Sequence, residues 1–180
     1  MKRPPCILLL SSLALLFSLA GGPCAEAAGP LKVFTSVLPL KYFVERVGGE
    51  RVAVQVMVGP GRSPHTYEPK PRQMAALAHT RLYYRVGVPF ETAWMRRIAS
   101  LNPEMEIVDL RQGLQLRPLE GHHHEGEGHD EHAVHDQGHG KSEELDPHLW
   151  TDPQMVQQMA QRIRATLSAA DPAGEAVYRA

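Results

Sequence analysis

Two apolar periodicities alternate along residues 31–110, and this alternation limits the chain to few architectures. Residues 31–35 form a short apolar, β-branched run, which predicts a strand. Leu40, Phe43, Val44 and Val47 then recur at i, i+3, i+4 and i+7, one face of a helix, with Pro39 suited to its first position. Gly48-Gly49 closes that helix. Val52, Val54 and Val56 alternate as a second strand. Met74, Leu77 and Ala78 mark a short helix after Pro71, and residues 82–86 read as a third strand. Phe90, Trp94, Ile98 and Leu101 lie on one face of a further helix, and residues 105–110 give a fourth strand. The order β-α-β-α-β-α-β predicts an α/β fold: a parallel four-stranded sheet flanked by helices, with right-handed crossovers. Ligands of such sheets sit beyond the carboxyl ends of the strands.

The pattern breaks after Leu110. Residues 120–144 contain seven His, eight acidic residues and five Gly, but only Ala133 and Val134 are apolar. Such a segment cannot bury enough surface to order itself, so it reads as a disordered insertion within the domain. Order resumes with Leu145-Asp146-Pro147-His148-Leu149-Trp150. Asp152 is placed to cap a helix with Pro153 at its first position, and Val156, Met159, Ala160, Ile163 and Leu167 line one face. Asp171-Pro172 repeats that signature and predicts another helix start, eight residues before the sequence stops at Ala180.

The first 27 residues read as a secretory leader. Lys2 and Arg3 give the positive start, residues 7–20 the apolar run, and Ala25-Glu26-Ala27 the cleavage site. The run is short for a membrane span. Lipidation at Cys24 is the lesser alternative, because Gly21-Gly22-Pro23 matches the usual lipoprotein pattern poorly. Cleavage leaves residues 28–180 with 17 basic and 19 acidic residues, a charge of −2, and removes both cysteines, Cys6 and Cys24. That balance argues against a nucleic-acid partner. Without thiols, any metal must be held by His and carboxylates. No phosphate-binding glycine loop, dinucleotide fingerprint or nucleophile elbow is present.

Among the ten histidines, His65 stands out by its setting. Four prolines fall within residues 59–71, and each restricts its own φ and its predecessor. A stiff loop of this kind suits a preorganised metal ligand, although a solvated His on a rigid surface loop fits equally. His148 is either a second imidazole ligand presented before a helix or a histidine buried by Trp150. His79, at the end of a short helix, reads as structural or solvent-facing. His122, His123, His124, His129, His132, His135 and His139 read as a weak metal collector in the insertion, where the interleaved acids attract divalent cations; an inert solvated linker is the other reading.

The segments Thr35-Ser36-Val37-Leu38-Pro39-Leu40, Gly48-Gly49-Glu50, Ser63-Pro64-His65 within residues 59–71, and Asp146-Pro147-His148-Leu149-Trp150 resemble one family. It comprises the zinc- and manganese-specific solute-binding proteins of bacterial ABC importers, of the high-affinity zinc uptake type. The resemblance implies two α/β lobes joined by one long helix, with the metal between them. His65 and His148 match the two ligands of the first lobe. It further implies a domain plan of leader (1–27), N-terminal metal-binding lobe (28–171) and start of the linking helix (172–180), the second lobe with its two ligands being absent. Some zinc members use an acidic residue beside the first His; here Pro64 stands there, so none is assigned.

The expected function is capture of extracytoplasmic Zn²⁺, with Mn²⁺ ranked second, and delivery to an inner-membrane ABC permease by a periplasmic, monomeric, non-enzymatic protein. Two imidazoles favour zinc over manganese. Binding should weaken as pH drops through the ordinary imidazole range. One rival is a periplasmic zinc buffer or chaperone acting through residues 120–144. Another is a secreted metallohydrolase with Glu68 as general base, for which no H-E-x-x-H motif exists.

Overall fold

A computed structural model describes residues 29–119 and 145–180. The expected leader and the His-rich insertion lie outside the described residues. Strands β1 (Leu31–Val37), β2 (Val52–Val58), β3 (Leu82–Arg85) and β4 (Glu106–Asp109) alternate with helices α1 (Leu38–Gly48), α2 (Pro71–Leu77) and α3 (Pro89–Leu101). Helices α4 (Pro153–Ala170) and α5 (Glu175–Tyr178) follow. All strand pairs are parallel, in the order β2-β1-β3-β4. The α/β fold expected from the sequence is therefore the fold observed.

Strand order explains the layering. The chain moves outward from β1 to β2, then crosses back over β1 to reach β3. With right-handed crossovers, this reversal puts α1 on one face of the sheet and α2 and α3 on the other. Helix α4 packs beside α1 and reaches the sheet at Tyr84, whose Oη lies 2.6 Å from Thr166 Oγ1. Covered on both faces, β1 is buried from Val33 through Val37.

Prolines open the helices where an N–H would lack a partner anyway. Pro71, Pro89 and Pro153 are first residues of α2, α3 and α4, while Pro39 is the second residue of α1, one position later than expected. Asp152 caps α4, accepting from the backbone N–H groups of Gln154 at 2.8 Å and Met155 at 3.4 Å. Gly49 turns the chain after α1 with φ of 54°.

Two expectations are corrected. Leu101, assigned to the buried face of α3, is exposed at the helix end, whereas Glu91 in the first turn is fully buried. Asp171 does not cap a helix through its side chain. Residues Pro172–Gly174 form a single 3₁₀ turn before α5. The Asp171 carboxylate instead pairs with Arg51, which accounts for the missing cap.

The ends of the insertion meet. Pro118 and Leu145 form an antiparallel bridge, and Asp146 N–H donates to Arg117 C=O at 2.9 Å. The described residues that flank 120–144 thus lie side by side.

Candidate metal centre

Strand order reverses between β1 and β3, and a crevice opens there at the carboxyl ends of the strands. Its cavity measures about 240 Å³, with Val37 at the end of β1, Val58 at the end of β2 and Gly87-Val88-Pro89 after β3 among its walls. His65 and His148 both line it, as does Trp150. Side chains 83 positions apart in sequence are thus brought to one cleft.

The His65 loop is pinned from two sides. On one side, Gln73 in the first turn of α2 donates through Nε2 to the carbonyls of Val56 (3.0 Å) and Met57 (2.9 Å) at the end of β2. Its Oε1 accepts from Tyr67 Oη (2.6 Å) and Lys70 N–H (3.0 Å). On the other side, Phe90 N–H donates to Pro64 C=O at 3.1 Å, and the Tyr67 and Phe90 rings meet edge-to-face at 5.5 Å. Tyr67 and Pro69 are buried while the His65 ring is exposed. The loop is therefore anchored around a histidine that lines the cleft.

His148 precedes a 3₁₀ turn, Leu149–Thr151, whose Leu149 is buried in the core. Asp146 Oδ1 accepts from His148 N–H at 3.0 Å and lies 2.6 Å from His148 Nδ1. An ionised carboxylate only accepts hydrogen bonds, so a neutral His148 carries its proton on Nδ1 and leaves the Nε2 lone pair free. The backbone and ring bonds from His148 hold the Asp146 carboxyl below the usual aspartate range. The Trp150 ring meets the imidazole edge-on at 5.2 Å. His148 is not buried by that Trp, as one reading of the sequence held; its side chain is 57% exposed.

The remaining candidates are not brought to this cleft. His79 is exposed at the end of α2, in keeping with a solvent-facing role. Glu68 is exposed and does not line the cavity. His122, His123, His124, His129, His132, His135 and His139 lie outside the described residues. Among the described residues, no three His, Cys, Asp or Glu side chains gather to hold a metal. The cleft supplies two imidazole nitrogens against a largely apolar wall.

Asp146 and Gln73 escaped the sequence reading. The signal for Asp146 was the Asp-Pro-His spacing, which lets a carboxylate fold back onto an imidazole two residues on. The signal for Gln73 was its place three residues after Lys70, where a helix-entry side chain reaches back to the backbone.

A family model described as ZnuA, zinc-uptake complex component A, periplasmic, matches residues 33–180. The zinc-binding lipoprotein AdcA of Streptococcus pneumoniae is 29% identical over 166 residues, covering 92% of this chain and 32% of AdcA. The manganese-binding lipoprotein MntA of Halalkalibacterium halodurans is 29% identical over 166 residues, covering 89% of this chain and 48% of MntA. A crystal structure of a zinc-bound ZnuA deletion mutant superposes with a TM-score of 0.69 at 31% identity, over 83% of this chain and 50% of that one. A crystal structure of ZnuA gives 0.66 at 32% identity, over 83% and 51%. The chain spans about a third to about half the length of these relatives. The long family match and the shared fold place the chain in the ZnuA family, zinc-uptake complex component A, periplasmic.

Proposed function

We propose that this protein captures Zn²⁺ outside the cytoplasm, with His65 and His148 as ligands, and delivers it to an ABC-type permease for uptake. The observation that carries the reading is the convergence of the two imidazoles on one cleft, with Asp146 turning His148 into an Nε2 donor. Zinc is favoured over manganese because the donors are imidazoles, which suit zinc better. The similarity to ZnuA at 31–32% identity supports the same choice, although the named relatives include binders of both metals. Zinc takes four ligands, so two more donors complete the site from water or from residues beyond the described ones. In the family's plan these come from a second lobe, with residues 1–27 as leader, 28–171 as the first lobe and 172–180 opening the linking helix.

A cleaved leader fits capture in the periplasm, where the protein acts as a monomer in this reading. AdcA and MntA are named lipoproteins, which makes Cys24 lipidation the processing alternative. No catalytic residue belongs to this reading. Residues 120–144 act as an accessory collector: removing them lowers metal capacity and leaves the cleft site intact.

The test is a competitive Zn²⁺ titration of the wild type, His65→Ala and His148→Ala. Each substitution should cost more than the roughly 10–100-fold that loss of a ligand's outer partner costs. Unchanged affinity in both variants would refute the ligands. If deletion of residues 120–144 removed the tightest binding instead, the protein would be a zinc buffer acting through its insertion.

A further inference from the structure

Glu91 is a charged side chain with no access to solvent at all. Its carboxylate gathers the donors of the β3–α3 turn. Oε1 accepts from Val86 N–H at 3.1 Å, and Oε2 accepts from Gly87 N–H and Arg85 Nε, each at 2.8 Å. Arg85 is itself 3.7 Å from Asp109, which Arg111 grips at 2.7 and 2.9 Å. Gly87 sits at φ of 83°, and a Cβ there would strike the Arg111 guanidinium. The turn is thus held by one buried carboxylate inside a network of four charged groups.

Stability alone is a weak reason for such an arrangement. Burying charges is expensive, and apolar side chains of similar volume often serve as well or better. What the carboxylate fixes is a segment with a second task. Gly87, Val88 and Pro89 line the metal cleft. The next residue, Phe90, donates its N–H to Pro64 C=O and stacks edge-on against Tyr67, on either side of His65.

We propose that Glu91 is a positioning residue of the metal site: by fixing the β3–α3 turn, and through Phe90 the backbone at Pro64, it sets where the His65 imidazole stands. This rests on His65 being a ligand. Glu91 itself never touches the metal. Its effect on binding therefore passes through His65 and not through His148, whose place is fixed separately by Asp146 and Leu149.

The test is a double-variant cycle in the full chain, with Zn²⁺ as the probe and the His148 imidazole NMR signal as the readout of cleft occupancy. Glu91→Gln keeps the shape but replaces one acceptor with a donor. It should weaken Zn²⁺ binding about 10-fold, the lower end of what outer partners of metal ligands contribute. In the His65→Ala background the same change should alter the residual Zn²⁺ response of His148 by less than about twofold, because no His65 is left to position. An equal loss in both backgrounds would mean general loosening and would overturn the proposal, as would no loss in either. A His65→Ala variant with wild-type affinity would sink the ligand assignment itself, a result that Glu91 variants do not influence. Should Glu91→Gln fail to fold, Arg85→Lys leaves the carboxylate and its two backbone bonds in place. It should show the same background dependence at smaller amplitude, and an equal effect in both backgrounds would again refute the idea.

Discussion

An imidazole can offer a metal either nitrogen, and at His148 the Asp146 carboxylate removes the choice. The 2.6 Å contact at Nδ1 commits the proton to that side and turns Nε2 into the donor. Asp146→Ala should therefore weaken Zn²⁺ binding roughly 10–100-fold, the range measured for such outer partners. The melting temperature should move little, because His148 is exposed and Asp146 is only partly buried. A titration with wild-type affinity would show that the carboxylate has no part in binding. At this scale the sequence was legible only by residue type. His65 drew notice by its proline-stiffened loop, whereas the surroundings of His148 left its role open, and the resemblance to the solute-binding family singled out the pair. Asp146, Gln73 and Glu91 did not, because their roles depend on where a short or buried side chain points. Glu91 shares the helix face of Trp94 and Ile98 at i, i+3 and i+7, yet its residue type reads as solvent-facing.

At the scale of elements, the dipeptide Asp-Pro had two outcomes. Asp152-Pro153 caps α4 as its pattern predicts. Asp171-Pro172 looks identical, yet Asp171 turns to Arg51, bonding its Nε at 2.7 Å and its Nη2 at 2.8 Å, and accepts from Tyr178 Oη. A partner 120 residues upstream outcompeted the local cap, and no local pattern reveals that. The tie fastens the end of α4 and α5 to the turn before β2. A side chain on Gly174 would collide with Arg51, Asp171 and Tyr178, so the turn at Pro172–Gly174 is shaped to admit it. The bonds from Arg51 first, and then from Tyr178, hold the Asp171 carboxyl below the usual aspartate range. A carboxyl whose pKa is lower in the folded state stabilises the fold above its unfolded pKa. That contribution is lost as pH falls through the folded value. Asp171→Asn should therefore lower the melting temperature by a few degrees at neutral pH, a modest effect because the pair is partly solvated. The gap to wild type should close below the aspartate range, where both side chains are neutral. A gap independent of pH would exclude the ion pair as its cause.

For the molecule as a whole, alternating periodicities were enough to give the parallel sheet and the edge on which ligands sit. They did not give the order β2-β1-β3-β4, which depends on crossovers that local patterns do not encode. That order opens the cleft: the reversal between β1 and β3 parts the loops, and His65 and His148 line the gap. The cleft is anchored on both sides, by Gln73 and Phe90 around His65 and by Leu149 and Asp146 around His148. Under the proposed assignment the two imidazoles stand in place before a metal arrives, which reduces the ordering cost of binding. The decisive measurement is an anomalous diffraction map at the zinc edge from crystals of the protein grown with Zn²⁺. It should place an ion in the cleft about 2.0–2.1 Å from an imidazole nitrogen of His65 and from Nε2 of His148. An ion bonded to neither, held only by residues 120–144, would contradict the assignment of the cleft as the metal site.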